Sequence, residues 1–483
     1  MKEVIPHWLS KQADLKPNQL ALEYNGKETL SFQELAQASQ SMARRLANLG
    51  VEKGSHIALL SQNNVNMIIA IHALSYLGAV AVLLNTRLSA NELQFQINDA
   101  KVNLLGTSVF FSDKTEGIDV PQKKSFSELQ RLPEKEVPLQ NELVLNDPFT
   151  IIYTSGTTGF PKGVVHTYGN HWWSAIGSAL NLGISPQDKW LTVLPLFHVS
   201  GLSTLFKSVI YGMPIYLMTS FEPEKVHEAL MKNHITMISV VTVMLQRLLE
   251  QMATERYPEQ LRCVLLGGGP APKPVLEQAR KKEVPVFQSY GLTETSSQIV
   301  TLSPQDALRK IGSAGKPLVP AQLKIHDPST RGVGEIYVKG PMVTKGYFNN
   351  PTADQKAFQT DWLKTGDLGY LDEEGFLYVV DRRNDLIISG GENIYPSEIE
   401  SVVSELTGVQ EVGVTNRSDD QWGEVPVPFI VKDTQNVLDE EMVQTYLKSR
   451  LASYKVPKKI YFVEQLPRNA SNKLMRYKLK EWL

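Results

Sequence analysis

The chain has 483 residues, 42% hydrophobic and 21% charged, the balance of a folded globular protein long enough for several cores. A formal net charge of −2 gives no global pull toward nucleic acid or an anionic membrane, and the single cysteine, Cys263, excludes an internal disulfide framework and fits a reducing compartment. Met1 to Leu9 holds no apolar run of signal-peptide length, so a cytoplasmic location is expected.

Residues 21–24 read as a short strand and Asn25-Gly26 as a hairpin turn. Ser31 and Glu34 form a capping-box pattern opening an amphipathic helix to about Leu49, with Gly50 as its stop. Residues 56–60 are a strand. Residues 67–84 carry no Asp, Glu, Lys or Arg, close to the length of a membrane span. Gly78 divides the run, and a buried helix followed by a buried parallel strand over 79–84 explains it better. With a further strand at 102–105, the alternation predicts α/β layers and largely parallel sheets.

The pattern repeats with a strand at 190–195, a loop at 196–201, a helix at 202–211 and strands at 214–218 and 261–266. The last of these runs into Gly267-Gly-Gly-Pro270, and the strand expected over 286–294 ends at a similar place. A strand running into glycines marks the carboxyl-end crevice where open α/β sheets bind ligands. From Gly312 the texture is β with many turns, and Pro396 opens a helix through Val403. A boundary is expected at 381–385. Residues 445–483 carry ten Lys or Arg against two Asp or Glu, which fits an anionic ligand or a solvated basic surface equally well.

The stretch that stands out is Tyr153-Thr-Ser-Gly-Thr-Thr-Gly-Phe-Pro-Lys-Gly163. Thr154, Ser155, Thr157 and Thr158 set four hydroxyls among Gly156, Gly159 and Gly163, and Lys162 adds a positive charge. Such a loop, with its backbone N–H groups, suits phosphate oxygens; the plain alternative is a solvated turn. It is not the Walker loop, which needs a hydroxyl after its lysine.

This stretch resembles the phosphate loop of the acyl-adenylate-forming superfamily, and five later motifs match that superfamily in order. They are Gln288-Ser-Tyr-Gly-Leu-Thr-Glu-Thr295, Gly334-Glu-Ile-Tyr-Val-Lys-Gly340, Trp362-Leu-Lys-Thr-Gly-Asp-Leu-Gly369, the run from Asp381 to Pro396, and Pro467-Arg-Asn-Ala-Ser-Asn-Lys473. The resemblance implies a large N-terminal domain, 1–381, of packed α/β sheets with a β-rich part, and a small mobile α+β C-terminal domain, 382–483. It implies an ATP-dependent ligase working in two steps, with Mg²⁺ as cofactor and coenzyme A as co-substrate. A carboxylate attacks the α-phosphate of ATP and releases pyrophosphate; a thiol then displaces AMP.

The resemblance also assigns residues. Lys473 would bridge carboxylate and α-phosphate, although Asn472 stands where the family usually has glycine. Asp367 would accept hydrogen bonds from the ribose hydroxyls, and Arg382 would contact ribose or phosphate. Glu294 would hold Mg²⁺, with Thr154 or Thr158 on the phosphate side. Gly267, Gly268, Gly269, Ser289, Tyr290 and Gly291, followed by Thr293, would line the nucleotide, with an ordinary half-buried aromatic as the alternative for Tyr290. Asn384 falls at the hinge position, usually Asp or Lys. Gly390 and Gly391 would approach the pantetheine after a domain rotation.

On the acyl side, His198 stands where the family places an aromatic or His. Lys207 is the one charge on the stretch 202–210. A lysine there usually snorkels to water; pointing into the acyl pocket it would pair with a second carboxylate of the acid. The segments 190–212, 265–272 and 298–304 resemble a branch of the superfamily acting on an aromatic dicarboxylate, with His198, Lys207 and Gln298 on the acyl side. Three alternatives stand beside this reading: a fatty- or simple aryl-acid ligase, a stand-alone adenylation enzyme loading a carrier protein, and a nucleotide-binding protein without catalysis. No nucleic-acid partner or membrane span is expected, and a homo-oligomer is left open.

Overall fold

The computed structural model describes residues 3–154, 161–252, 255–268, 273–303, 306, 309–328, 332–382, 387–394, 396–433, 438–467, 474 and 476–483. Two large sheets dominate. The first has six strands in the order Lys162–Thr167, Pro148–Thr154, Val80–Leu83, His56–Leu60, Leu104–Thr107, Gln122–Ser125, parallel except for the first pair. The second has nine, and its middle runs parallel through Val286–Leu292, Cys263–Leu266, Met237–Val240, Trp190–Thr192, Ile215–Leu217 and Leu20–Tyr24. A five-stranded sheet between Gln322 and Arg382 follows, antiparallel throughout. A separate five-stranded sheet contains Ile387–Ser389, Glu392–Ile394, Val409–Asp419, Gly423–Lys432 and Tyr461–Val463. The chain thus changes sheets between 382 and 387.

Local rules explain the first elements. Asn25 and Gly26 both have positive φ, 49° and 68°, the backbone of a tight hairpin joining Leu20–Tyr24 to Glu28–Ser31. Ser31 and Glu34 cap each other at the start of helix Phe32–Asn48. The uncharged run becomes helix Val65–Leu77, with every residue but Asn66 buried, and strand Val80–Leu83. Gly78 ends the helix at φ +68°, and a Cβ there would come within 2.1 Å of Gln140. Among the described residues no helix is long and apolar enough to cross a membrane. One hydrophobic core holds Ile57, Leu83 and Ile152 of the first sheet, Leu22, Ile215 and Leu265 of the second, and the apolar faces of both helices. A second core, with Ile387, Ile399, Val414, Ile430 and Leu447, serves the last hundred residues.

Other bounds differ from expectation. The strand at 190–195 is only Trp190–Thr192, and the helix expected from 202 begins at Val199. Glycine is a poor helix former, so Gly201 reads as loop. Packing overrides this: a Cβ on Gly201 would lie 2.2 Å from Pro195 O, so only glycine lets the first turn press on the preceding backbone. The basic C-terminal stretch is partly neutralised within the fold, because Lys455 sits between Glu92 and Glu398, Arg476 pairs with Glu400, and Lys458 lies near Asp419.

Four histidines, His7, His72, His166 and His171, are buried without charge. Burial, with His72 nearby, pulls His7 down to about 3; burial alone takes His72 to about 3; burial takes His166 to about 4 against its bond to Thr293 O. All lie below the usual 6.5, so the unfolded chain takes up these protons first. Their stability is fully present above about pH 6.5 and is lost as pH falls, by about 2 kcal/mol for each group at about pH 5. Melting curves recorded from neutral pH downward are expected to show Tm dropping below about 6.5; a Tm flat to pH 4 would contradict this.

Candidate active site

The sheets converge on a cavity of about 610 Å³ at the carboxyl ends of Cys263–Leu266 and Val286–Leu292. Its walls include Thr154, Gly267, Gly268, Ser289, Gly291 and Gln298 from the large sheets and Gly390, Gly391, Glu392 and Trp422 from the C-terminal sheet. Ser155, Gly156, Thr157, Thr158, Gly269, Asn384 and Lys473 lie outside the described residues, as does the side chain of Arg382.

On the expected nucleotide side, a Cβ on Gly267 would crowd Ser289 Oγ at 3.2 Å, and that hydroxyl donates to Leu266 O at 3.0 Å. Gly291 has a second reason to be glycine: a Cβ there would come within 2.1 Å of Ser297 O, across the bulged pairing with the next strand. Tyr290 is buried rather than half-buried, and its hydroxyl donates to Asp367 Oδ2 at 2.7 Å. Asp367 itself is 6% exposed and stands directly opposite Arg382 in the antiparallel register.

Thr293 and Glu294 sit in the turn after Val286–Leu292. Desolvation pushes the Glu294 carboxyl up, only partly offset by a backbone N–H, the Tyr347 hydroxyl and Lys162. Tyr347 donates to Glu294 Oε1 at 2.9 Å while its ring lies under the Lys162 ammonium at 5.2 Å. Burial lowers Lys162, and Glu294 works against that. A desolvated carboxylate close to Lys162 fits Mg²⁺, which commonly takes one or two carboxylates and completes its shell with phosphates and water. Behind this turn, His166 Nε2–H donates to Thr293 O at 2.7 Å, and Thr150 joins His166 to His171. Tyr347 and His166 were not singled out from sequence. They reach the turn from 53 and 127 residues away, a separation beyond any local pattern.

At the expected acyl end, His198 holds the N-cap position of helix Val199–Tyr211 without a capping side-chain bond. Its Nε2 lies 3.4 Å from Glu392 Oε1, which Arg87 Nη1 also approaches at 3.3 Å. Burial works to raise Glu392, but His198 and Arg87 outweigh it and hold the carboxyl below its usual range. Lys207 does not snorkel to water; it is 1% exposed. Nor does it line the cavity: its Nζ donates to Gln298 Oε1 at 3.2 Å and lies 4.9 Å from the Trp190 ring, one layer behind the wall. Gln298, Ser297 and Ser203 form that wall. Ser297 donates to Gln298 Oε1, and Gln298 Nε2 donates to Ser178. Among the described residues no carboxylate pairs with Lys207.

A crevice between α/β sheets, closed by a second domain that brings a Gly-Gly turn, with Thr154 and Pro161 at its edge, defines a nucleotide-dependent two-domain enzyme. The chain belongs to the AMP-binding enzyme family: that family's model matches residues 9–348, and the model of the AMP-binding enzyme C-terminal domain matches residues 398–473. It is 56% identical to a 2-succinylbenzoate–CoA ligase of Oceanobacillus iheyensis over 483 residues, covering 99% of this chain and 100% of the relative. A solved double mutant of o-succinylbenzoate CoA synthetase from Bacillus subtilis, bound with its product analogue OSB-NCoA, overlays with TM-score 0.95 at 50% identity, covering 99% of this chain and 98% of the other. The same bacterium's enzyme in complex with the acyl-adenylate intermediate OSB-AMP overlays with TM-score 0.77 at the same identity and coverage.

Proposed function

We propose that this chain joins 2-succinylbenzoate to coenzyme A in menaquinone biosynthesis. It is an AMP-forming acid–thiol ligase that uses ATP, Mg²⁺ and CoA. The observation that carries the choice of acid is Lys207, a buried ammonium without a carboxylate partner among the described residues, one side chain behind the acyl end of the cavity. Burying an unpaired charge costs several kcal/mol, so a substrate whose second carboxylate reaches this end offsets that cost. A fatty acid leaves it in place.

In the first step a carboxylate oxygen bonds to the α-phosphorus, the bond to the bridging oxygen breaks, and pyrophosphate leaves. We assign Gly267, Gly268, Gly269 and Ser289 to Gly291 to the adenine, Asp367 and Arg382 to the ribose, and Lys162 with Thr154 to Thr158 to the phosphates. Lys473 meets the carboxylate and α-phosphate. Mg²⁺, with Glu294 and Thr158 as its protein ligands, supplies positive charge at the phosphates. Tyr347 holds Glu294 and supports Lys162 at once. In the second step the CoA sulfur bonds to the carbonyl carbon and AMP leaves with the electron pair of the broken C–O bond. Gly390 and Gly391 border the thiol's path, His198 borders the acyl group, and Asn384 is the hinge between domain arrangements. The two overlays support this view: with identity and coverage equal, the TM-score is 0.95 against the product-analogue complex and 0.77 against the acyl-adenylate complex, the difference a change of domain arrangement would produce. A cytoplasmic location, where ATP and CoA are available, completes the reading.

Pyrophosphate release with MgATP and CoA, compared across 2-succinylbenzoate, benzoate, 4-chlorobenzoate and a medium-chain fatty acid, tests the assignment. Release with the first alone is expected, and equal release with another acid overturns it. Replacing Tyr347 by Phe keeps the ring under Lys162 and removes one hydrogen bond to a charged group. It is expected to raise the KM for MgATP about tenfold and leave that for the acid unchanged. Equal shifts in both would make Tyr347 merely structural.

A further inference from the structure

We propose that Glu92 is a positioning residue for thioester formation, acting through a buried ion triad with Lys455 and Glu398 that latches the C-terminal domain onto the N-terminal one. The inference rests on the two-step reading above.

Glu92 does two jobs at the start of helix Ala90–Asp99. Its Oε2 accepts from the Ser89 N–H at 2.8 Å and hydroxyl at 2.9 Å, completing a capping box. Its Oε1 accepts from Lys455 Nζ at 2.7 Å, across the domain boundary. Lys455 also donates to Glu398 Oε1 at 2.7 Å, within its own domain. The Lys455, Glu92 and Glu398 side chains are 4%, 8% and 5% exposed. Burial works against the Lys455 charge, yet Glu398 and Glu92 together hold the ammonium above its usual range.

The surrounding contacts make this a docking site. Ser89 Oγ lies 2.7 Å from Arg450 O and shares its one hydrogen between that carbonyl and Glu92, Asn91 Nδ2 donates to Ser449 O at 2.9 Å, and Ala452 joins the core that contains Leu88 and Leu93. The asymmetry of the triad suits a joint that must open. When the domain leaves, Lys455 keeps Glu398 and loses only Glu92, so no ammonium is left alone. Glu92 in turn keeps its cap and regains water. The latched arrangement is the one in which Gly390 and Gly391 border the cavity.

Glu92→Gln is the informative change, because glutamine also serves at the third position of a capping box, so the cap survives and only the charge is lost. Pyrophosphate release with MgATP and 2-succinylbenzoate in the absence of CoA reads the first step. Adding CoA to enzyme already holding the acyl-adenylate reads the second. E92Q is expected to leave the first within about twofold and slow the second about tenfold, the scale of a close interfacial charge pair. Both steps falling together with Tm would make Glu92 a structural cap and overturn the proposal, as would no change in either. Small-angle scattering of the ligand-free protein reads docking without turnover: a larger radius of gyration for E92Q is expected, and identical scattering overturns the latch even if the acid assigned above proves wrong. Should E92Q fail to fold, Asn91→Ala removes an exposed side chain of the same docking site. The same split in smaller measure is then expected, and its absence counts against the latch.

Discussion

Replacing Lys207 by Met is expected to raise the KM for 2-succinylbenzoate about a hundredfold, leave the KM for ATP within about twofold, and leave Tm unchanged or raised. The two signs come from one fact. Lys207 is buried behind Gln298 and beside the Trp190 ring, with no carboxylate partner among the described residues. Methionine of similar length removes a desolvated charge, which favours the empty enzyme, and removes the same charge from the bound acid, which weakens binding. A falling Tm, or equal shifts in both KM values, would make Lys207 a packing residue. pH gives an independent reading, since burial pulls the ammonium down to about 7. Only the charged form attracts a carboxylate. Affinity for the acid is therefore full below about pH 7 and declines as pH rises through it, approaching about tenfold per unit. In the methionine variant that slope disappears; a slope that persists would belong to another group.

The second large effect is expected at Lys473. Its replacement by Ala should slow pyrophosphate release by about a hundred- to a thousandfold, the range for removing one group that stabilises developing charge. Thioester formation from preformed acyl-adenylate should stay within about threefold. The C-terminal domain here turns Gly390, Gly391 and Glu392 toward the cavity. The chain just past Lys473 is tied down elsewhere in that domain: Leu474 packs where a Cβ on Gly413 would lie 3.0 Å away, and Arg476 pairs with Glu400. In the proposed function the two stretches serve different steps, so a lysine variant slow in both would argue against a division of labour between domain arrangements.

What could be read from sequence was local. The Asn25-Gly26 hairpin, the Ser31–Glu34 box and the Gly78 stop each follow from a few neighbouring residues, and all three are present. The crevice was legible because strands ending in glycine are contiguous in the chain. The reach of Lys207 was not, because helical spacing sets its face but not whether Gln298 stands in front. The second duty of Gly291 depends on the neighbouring strand's carbonyl, and the support Tyr347 lends Glu294 depends on a strap from the β-rich part. The charge count over 445–483 left an anionic ligand and a solvated basic surface equally open, because it could not show that Lys455 and Arg476 are paired within the fold.

The nine-stranded sheet has a consequence for how the chain is born. Leu22 pairs with Ile215, and the strand Val4–Pro6 pairs with Glu142–Val144. At about 5–20 residues per second, the ribosome delivers Ile215 about 10–40 s after Leu22. Through that wait Leu20–Tyr24 has only its hairpin partner, Glu28–Ser31, to cover one edge, and the other edge is open to any passing strand. Nascent chains stalled before residue 215 should therefore depend on chaperones far more than chains released after it, and the first long-range bond of the sheet, rather than either domain alone, sets when the molecule becomes safe from aggregation.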